Sequence, residues 1–299
     1  MRVGFALPQF GAAADEPGGV ARFASTLERA GAGGFWAGDR LFAPVEPVIG
    51  YGGTDTMPEQ FHRTQDPFIA LAAAAAVTST AVLGSSTINA TFYPPALLAR
   101  TLTTLDVASG GRLRPGFGIG WSPDEYEAIG VPFAGRGDRL DDLLDLLDAW
   151  WTQNPVAHKG SGYTVVPSHV ALKPVSTPRP PLYLAGYSAR AQTRVARRAD
   201  GWLPVWSVPN RLSVERLTGM LAGIREQAEQ AGRAPESISV ALRVNVAAGE
   251  EPATIARELV HAATALDAAD AFVDLTYLAE SVEQMIDLAG QVLDKVNAG

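Results

Sequence analysis

The sequence contains no cysteine, which removes disulfide frameworks, thiolate zinc sites and a cysteine nucleophile together. Histidine is nearly as scarce: the four present, His62, His158, His169 and His261, are not paired at metal-ligand spacing, so no protein metal site is expected. Lysine is rare, and the net charge of −8 argues against a nucleic-acid partner or an anionic membrane surface, both of which favour a basic face. Long apolar runs are missing too. The longest, Phe68 to Val77, is too short and too alanine-rich to span a bilayer, and Met1-Arg2-Val3 leads straight into a strand-like segment. The chain reads as soluble and cytoplasmic.

What remains is 299 residues with 47% hydrophobic and 19% charged content, the composition of a globular protein with a large buried core. That length exceeds a typical domain of ~150 residues and suits one α/β barrel of ~250 residues with insertions. Residues 1–299 are accordingly read as a single domain. Val3 to Leu7 is a short apolar run ended by Pro8, as in a buried parallel strand, and Val20, Phe23, Ala24, Leu27 and Ala30 then recur at helical spacing. Asp66-Pro67 supplies a capping residue and a proline at the first helical position. Further strands are expected at Phe35–Ala37, Ala81–Thr87, Leu113–Ile119, Leu182–Ala185, Trp202–Val205, Ile238–Val244 and Phe272–Leu275, with helices between them. Strict alternation of eight strands and eight helices predicts an all-parallel sheet closed into a (β/α)8 TIM barrel; a doubly wound open sheet is the alternative. Two connections are long enough to be insertions: Leu41 to Gln65 after strand two, a candidate lid, and Thr152 to Pro181 before strand five, with a small hairpin around Gly160–Val166.

Active sites in such barrels collect at the C-terminal ends of the strands. Here those ends read Asp39-Arg40, Ser85 to Asn89, Gly118 to Trp121, Gly186 to Ser188 and Pro204 to Ser207, a rim without metal ligands or the paired carboxylates of a hydrolase. In Gly116-Phe117-Gly118-Ile119-Gly120-Trp121 alternate glycines bare the backbone on one face, which admits a flat ring or a phosphate, or else makes room for barrel packing. The spacing is not that of a dinucleotide fingerprint. Ser188 is placed to cap the helix after strand five, whose first free N–H groups then form an anion site, or else are only capped.

Several segments resemble the luciferase-like monooxygenase superfamily, and most closely its actinobacterial oxidoreductases that use the deazaflavin coenzyme F420. They are VGFALPQF, FWAGDRLF, LARTLTTLDVASGGRLRPGFGIGW, EYEAIGVPFAGRGDRLDDLLDLLDAWW and YLAGYSARAQTRVARRADGWLPV, which cover the chain in order up to about residue 206. The resemblance implies a cofactor ring over a bulge ending strand three, within Ser85, Ser86 and Thr87, where the family often carries a non-proline cis peptide. It also implies a Gly118, Ile119, Gly120 and Trp121 turn supporting the cofactor's side chain, amides at Ala185, Gly186, Tyr187 and Ser188 holding its phosphate, and a homodimer. Asp39 matches an acidic residue near the ring. The next position, often histidine in relatives, is Arg40 here, so no histidine acid/base is inherited at that place.

On this reading the reaction is hydride transfer between coenzyme F420 and a small organic substrate. Asp39 and Arg40 lie nearest the reacting face, Asn89 donates to the ring or satisfies a loop, and the lid carries Phe42, Tyr51, Phe61 and a candidate proton relay, His62. Bland readings stand beside these. Asp39 and Arg40 form an ion pair, Trp121 and Trp206 are rim packing, and Arg136 and Arg139 pair with neighbouring aspartates or cap the helix. The second function is an FMN-dependent monooxygenase on the same barrel, and the third is a cofactor-binding barrel without turnover.

Overall fold

The computed structural model describes residues 1–209 and 212–298. Strand β1 (Arg2–Ala6) pairs with β2 (Gly34–Ala37), and β2 with β3 (Val82–Ser85), all parallel. The third strand breaks at Ser86-Thr87 and resumes as β4 (Ile88–Asn89). The fourth breaks in step at Pro115, which has no N–H to donate. Its first piece, β5 (Leu113–Arg114), pairs with β3, and its second, β6 (Gly116–Gly118), pairs with β4. An antiparallel hairpin of β7 (Val156–Lys159) and β8 (Thr164–Ser168), where the long connection before strand five predicts one, stands outside this sheet.

Beyond it β6 pairs with β9 (Tyr183–Leu184), and β9 with β10 (Gly201–Trp202). Both β10 and its continuation β11 (Val205–Val208) pair with β12 (Ser239–Val246). Finally β12 pairs with β13 (Asp270–Asp274), and β13 returns to β1. The sheet's 11 segments therefore occupy eight strand positions, three of which are split in two, and the ring is closed. That closure is the (β/α)8 barrel the alternation predicts, and it excludes the open doubly wound sheet.

Around the ring lie α1 (Gly19–Arg29), α2 (Pro67–Val77), α3 (Pro95–Ala108), α4 (Pro123–Ala128), α5 (Arg136–Thr152), α6 (Ala189–Arg198), α7 (Val214–Gln230), α8 (Pro252–Ala265) and α9 (Val282–Asn297). Local chemistry starts several of them. The Asp66 carboxylate accepts from the N–H groups of Phe68 and Ile69, and Ser188, Ser213 and Ser281 cap α6, α7 and α9 in the same way. The short α4 was not expected; Ser122 caps it and Pro123 opens it, straight after the glycine run.

One large side chain plugs the cylinder. Trp36, from β2, stacks on Phe272 at 4.7 Å and meets Tyr183 edge-on at 6.5 Å. A Cβ on Gly84 would sit 2.2 Å from the Trp36 ring, so the glycine of β3 exists to admit the indole. Below the plug, Arg2 and Asp270 pair at 2.6 Å. Above it the interior opens toward the C-terminal ends of the strands.

Candidate functional site

The rim begins where β2 ends. Asp39 and Arg40 are both buried, but they face different partners. Asp39 accepts the backbone N–H of Asn89 at 2.8 Å on one carboxylate oxygen and the Tyr93 hydroxyl at 3.0 Å on the other, while the Asn89 amide donates to its backbone carbonyl at 3.2 Å. The carboxylate thus clamps β4 to the end of β2, and it is not an ion-pair partner of Arg40. Asn89 is taken up in the same clamp. Burial dominates Asp39 electrostatics and lifts its pKa to about 6, against the two hydrogen bonds that favour the ionised form.

Arg40 turns toward aromatic rings. Its guanidinium carbon lies 4.3 Å from the centre of the Trp121 ring and 5.2 Å from that of Phe61. Its Nη1 is 3.5 Å from a carboxylate oxygen of Glu125, on α4. Glu125 is fully buried and accepts the Leu41 N–H at 2.8 Å, which ties the start of the long strand-two loop to α4. Burial pushes the Arg40 guanidinium down and the Glu125 carboxyl up, each opposed by the attraction of the other.

The interruption of strand three sits beside this pair. The Ser86–Thr87 peptide bond is cis, inside the stretch where the resemblance places such a bond. Ser85 and Gly116 exchange hydrogen bonds, the Ser85 hydroxyl donating at 2.9 Å and accepting at 2.8 Å. Glycine is required opposite, because a Cβ on Gly116 would lie 2.0 Å from the Ser85 carbonyl oxygen and one on Gly118 would lie 2.6 Å from Thr87 Oγ1. The packing alternative for these two glycines is therefore realised. Gly120 does adopt positive φ, and its carbonyl accepts from Arg136 Nε at 3.3 Å.

A pocket of about 120 Å³ opens between these walls, lined by Asp39, Arg40, Ser86, Thr87, Asn89 and Trp121 together with Tyr51, Phe61 and Arg243. Tyr51 and Phe61 come from the strand-two loop, their rings 5.0 Å apart, and Tyr51 also meets Trp121 at 6.0 Å. His62 is not brought there. Its neighbour Phe61 turns inward, which leaves the imidazole on the exposed side of a short 3-10 turn.

The Ala185–Ser188 turn lies outside that pocket. It is pinned instead: Tyr187 accepts the Val205 N–H at 2.7 Å, the Gly186 carbonyl accepts from Trp202 at 3.2 Å, and Ser188 accepts the Ala191 N–H at 3.3 Å. Arg136 and Arg139 pair with no aspartate among the described residues. Both bind loop carbonyls between 120 and 134, and Arg136 also lies over the Phe133 ring at 3.7 Å. Trp206 is buried on the helix-facing side, edge-on to His261, and is not a rim residue.

The wall across the barrel was not anticipated. Arg243, on β12, pairs with Asp274 at 2.5 Å and donates to the Ser86 carbonyl at 2.8 Å. Polar residues at positions 243 and 245 of an otherwise apolar strand were the available signal, since alternation turns both to one face. Glu125 gave a weaker signal, because an acid in Asp124-Glu125 reads as solvated surface. Among the described residues there is no cluster of three or more metal-ligating side chains, and no helix long and apolar enough to cross a membrane.

A family model described as luciferase-like monooxygenase matches residues 1–292. The F420-dependent glucose-6-phosphate dehydrogenase of Kribbella flavida is 30% identical over 193 residues, 62% of this chain and 56% of the relative. The FMNH(2)-dependent dimethylsulfone monooxygenase of Pseudomonas putida is 30% identical over 145 residues, 48% of this chain and 39% of the relative. In fold, the chain is similar to monooxygenase RslO1 from Streptomyces bottropensis, with a TM-score of 0.82, 18% identity, and coverage of 100% of this chain and 99% of that one.

Proposed function

The chain belongs to the luciferase-like monooxygenase family, and on that premise we propose that it is an oxidoreductase that uses coenzyme F420 to move hydride to or from a small organic substrate. The observation that carries this reading is that the charged side chains at the mouth are each held by fixed partners. Asp39 has both carboxylate oxygens engaged, Arg40 is locked between two rings beside Glu125, Arg243 is neutralised by Asp274, and His62 faces away. Asp39 titrates near about 6, but both its oxygens are held, by the Asn89 N–H and the Tyr93 hydroxyl, so the protein's contribution is mainly binding, orientation and dryness.

The residues fit a flat cofactor. Gly116 and Gly118 hold the broken strands close, Ser86 and Thr87 present backbone at the mouth, and Trp121, Phe61 and Tyr51 supply apolar walls. Once bound, coenzyme F420 supplies a ring carbon that donates or accepts hydride. Asp39 holds the platform through Asn89, and Arg40 and Trp121 close its outer side. The Ser188-capped start of α6 is assigned to the cofactor's phosphate. Of the two relatives named above, the F420-dependent one shares the longer stretch with this chain, 193 residues against 145, which supports the same choice.

An FMN-dependent monooxygenase is the second reading, favoured by the likeness to the dimethylsulfone enzyme. Titrating the protein with each cofactor and following tryptophan quenching separates them, since Trp121 lines the pocket. Saturable binding of F420, and anaerobic oxidation of its reduced form by a carbonyl or alkene substrate, is the expected result. Binding of FMN alone, with oxygen consumed by its reduced form, would replace this reading with the second.

A further inference from the structure

Three neighbouring strands bring polar residues to one level of the mouth. In register, Ser207 of β11 is the partner of Asn245 of β12, and Asn245 is the partner of Asp274 of β13. One step deeper the row is Val205, Arg243 and Phe272. Leu242, Val244 and Val246 are buried in the helix-facing core, so the alternate residues Arg243 and Asn245 face the barrel interior. Arg243 spends one Nη on Asp274 and the other on the Ser86 carbonyl. Its Nε and the Asn245 Oδ1 are both buried, and neither finds a hydrogen-bond partner among the described residues. Two residues apart on the inward face of β12, a buried donor is thus without an acceptor and a buried acceptor without a donor, an arrangement that native proteins rarely leave unanswered.

We propose that Arg243 Nε–H and Asn245 Oδ1 form a recognition site for a neutral amide-type edge, a carbonyl oxygen flanked by an N–H. The carbonyl accepts from the guanidinium and the N–H donates to the asparagine. Charge balance excludes a carboxylate from the same place. Arg243 is already neutralised by Asp274 and Arg40 by Glu125, so an anion adds unmatched negative charge and offers no hydrogen to Asn245. Two ligands carry this edge: the imide of a flavin-type ring, and an amide or lactam in the substrate. Only the first rests on the cofactor reading given above.

Benzamide and benzoate, titrated calorimetrically into the protein without added cofactor, are matched probes that differ in that edge. Benzamide is expected to bind at least about tenfold more tightly than benzoate. Asn245→Leu, close in volume but without an acceptor, is expected to lose about tenfold in benzamide affinity and nothing for benzoate. Asn245→Gln, which keeps a neutral amide oxygen, is expected to retain more benzamide binding than Asn245→Leu. Equal affinity for the two probes, no benzamide binding, or an Asn245→Leu protein that melts like the parent and binds benzamide as well, overturns the proposal. Repeating the titration with saturating F420 or FMN assigns the source: loss of the benzamide site points to the cofactor's imide, and retention points to the substrate. If neither cofactor binds while benzamide is still preferred, the cofactor reading fails and this site stands.

Discussion

Asp39 is where burial and ionisation conflict most directly. Its carboxyl has a pKa of about 6 in the folded protein, against 3.8 for the group free in water. Below that window both folded and unfolded chains hold the proton, so the group contributes no pH dependence. As pH rises through it, the unfolded chain releases the proton first and stability falls, by on the order of 3 kcal/mol once the folded carboxyl has also ionised. Asp39→Asn keeps an oxygen for the Asn89 N–H and a polar group for the Tyr93 hydroxyl. Urea unfolding should therefore show the variant nearly equal to the parent near about pH 4 and more stable near about pH 7. Parallel curves over that range would show that burial imposes no such cost. A second residue-scale prediction concerns Gly118, where the intruding neighbour is a side-chain oxygen that can be removed. Gly118→Ala should cost about 1–3 kcal/mol, and Thr87→Ala in the same chain should recover most of it. A double-mutant cycle with zero coupling would contradict the assignment of that contact.

Between elements, α5 and α6 are joined by a ladder of ion pairs that differ sharply in environment. Arg190 reaches Asp138 at the exposed end, and Arg198 reaches Asp145 at 2.6 Å. Between them Arg194, only 8% exposed, binds Asp141 at 2.5 and 2.8 Å and the Gly137 carbonyl at 3.1 Å. Exposed pairs gain little over water, whereas removing a buried cation strands its acceptors. Arg190→Ala should change unfolding stability by under about 0.5 kcal/mol and Arg194→Ala by about 2–4 kcal/mol, as measured by urea denaturation. Similar losses for the two would remove the distinction.

The same helices show why elements were legible in the sequence and their contacts were not. The stripe of Leu140, Leu143, Leu144 and Leu147 announced α5, and Asp66-Pro67 announced α2, because period and capping are local signals. The partners of the aspartates lie about 50 residues away, and no local pattern encodes them. The breaks in strands four and six escaped because alternation marks a strand but not the point where its pairing moves on, and the one in strand three was placed, within Ser85–Thr87, by the resemblance alone. At the site, Asp39, Arg40, Ser86, Thr87 and Trp121 were found because they end strands, where barrels keep their chemistry. Arg243 and Asn245 lie within a strand, and that rule passes over them.

At the scale of the whole molecule, the barrel is closed by parallel pairing all round, so its mouth is framed by rigid strands and can widen only through its loops. The pocket there, about 120 Å³, is well below the ~300 Å³ that small-molecule sites usually occupy. Two of the side chains filling it, Tyr51 and Phe61, belong to the segment between β2 and α2, which carries only short 3-10 turns and exposes Val45 and Val48 to solvent. By contrast Arg243 comes from a barrel strand, and its guanidinium is held by Asp274 and the Ser86 carbonyl. If the proposed function holds, entry of a three-ring cofactor requires Tyr51 to leave its contacts with Phe61 and Trp121. Shortening that side chain should lower the barrier to association more than it changes the final complex. Tyr51→Ala is expected to bind F420 several-fold faster in stopped-flow quenching of tryptophan fluorescence, with a smaller change in equilibrium affinity. Bound cofactor should also raise the unfolding free energy of both proteins, by about 2.7 kcal/mol at a hundredfold excess over the dissociation constant. An association rate indifferent to Tyr51, in a variant that still binds and is still stabilised, would mean that the cofactor enters by another side of the mouth and that the strand-two segment is fixed wall.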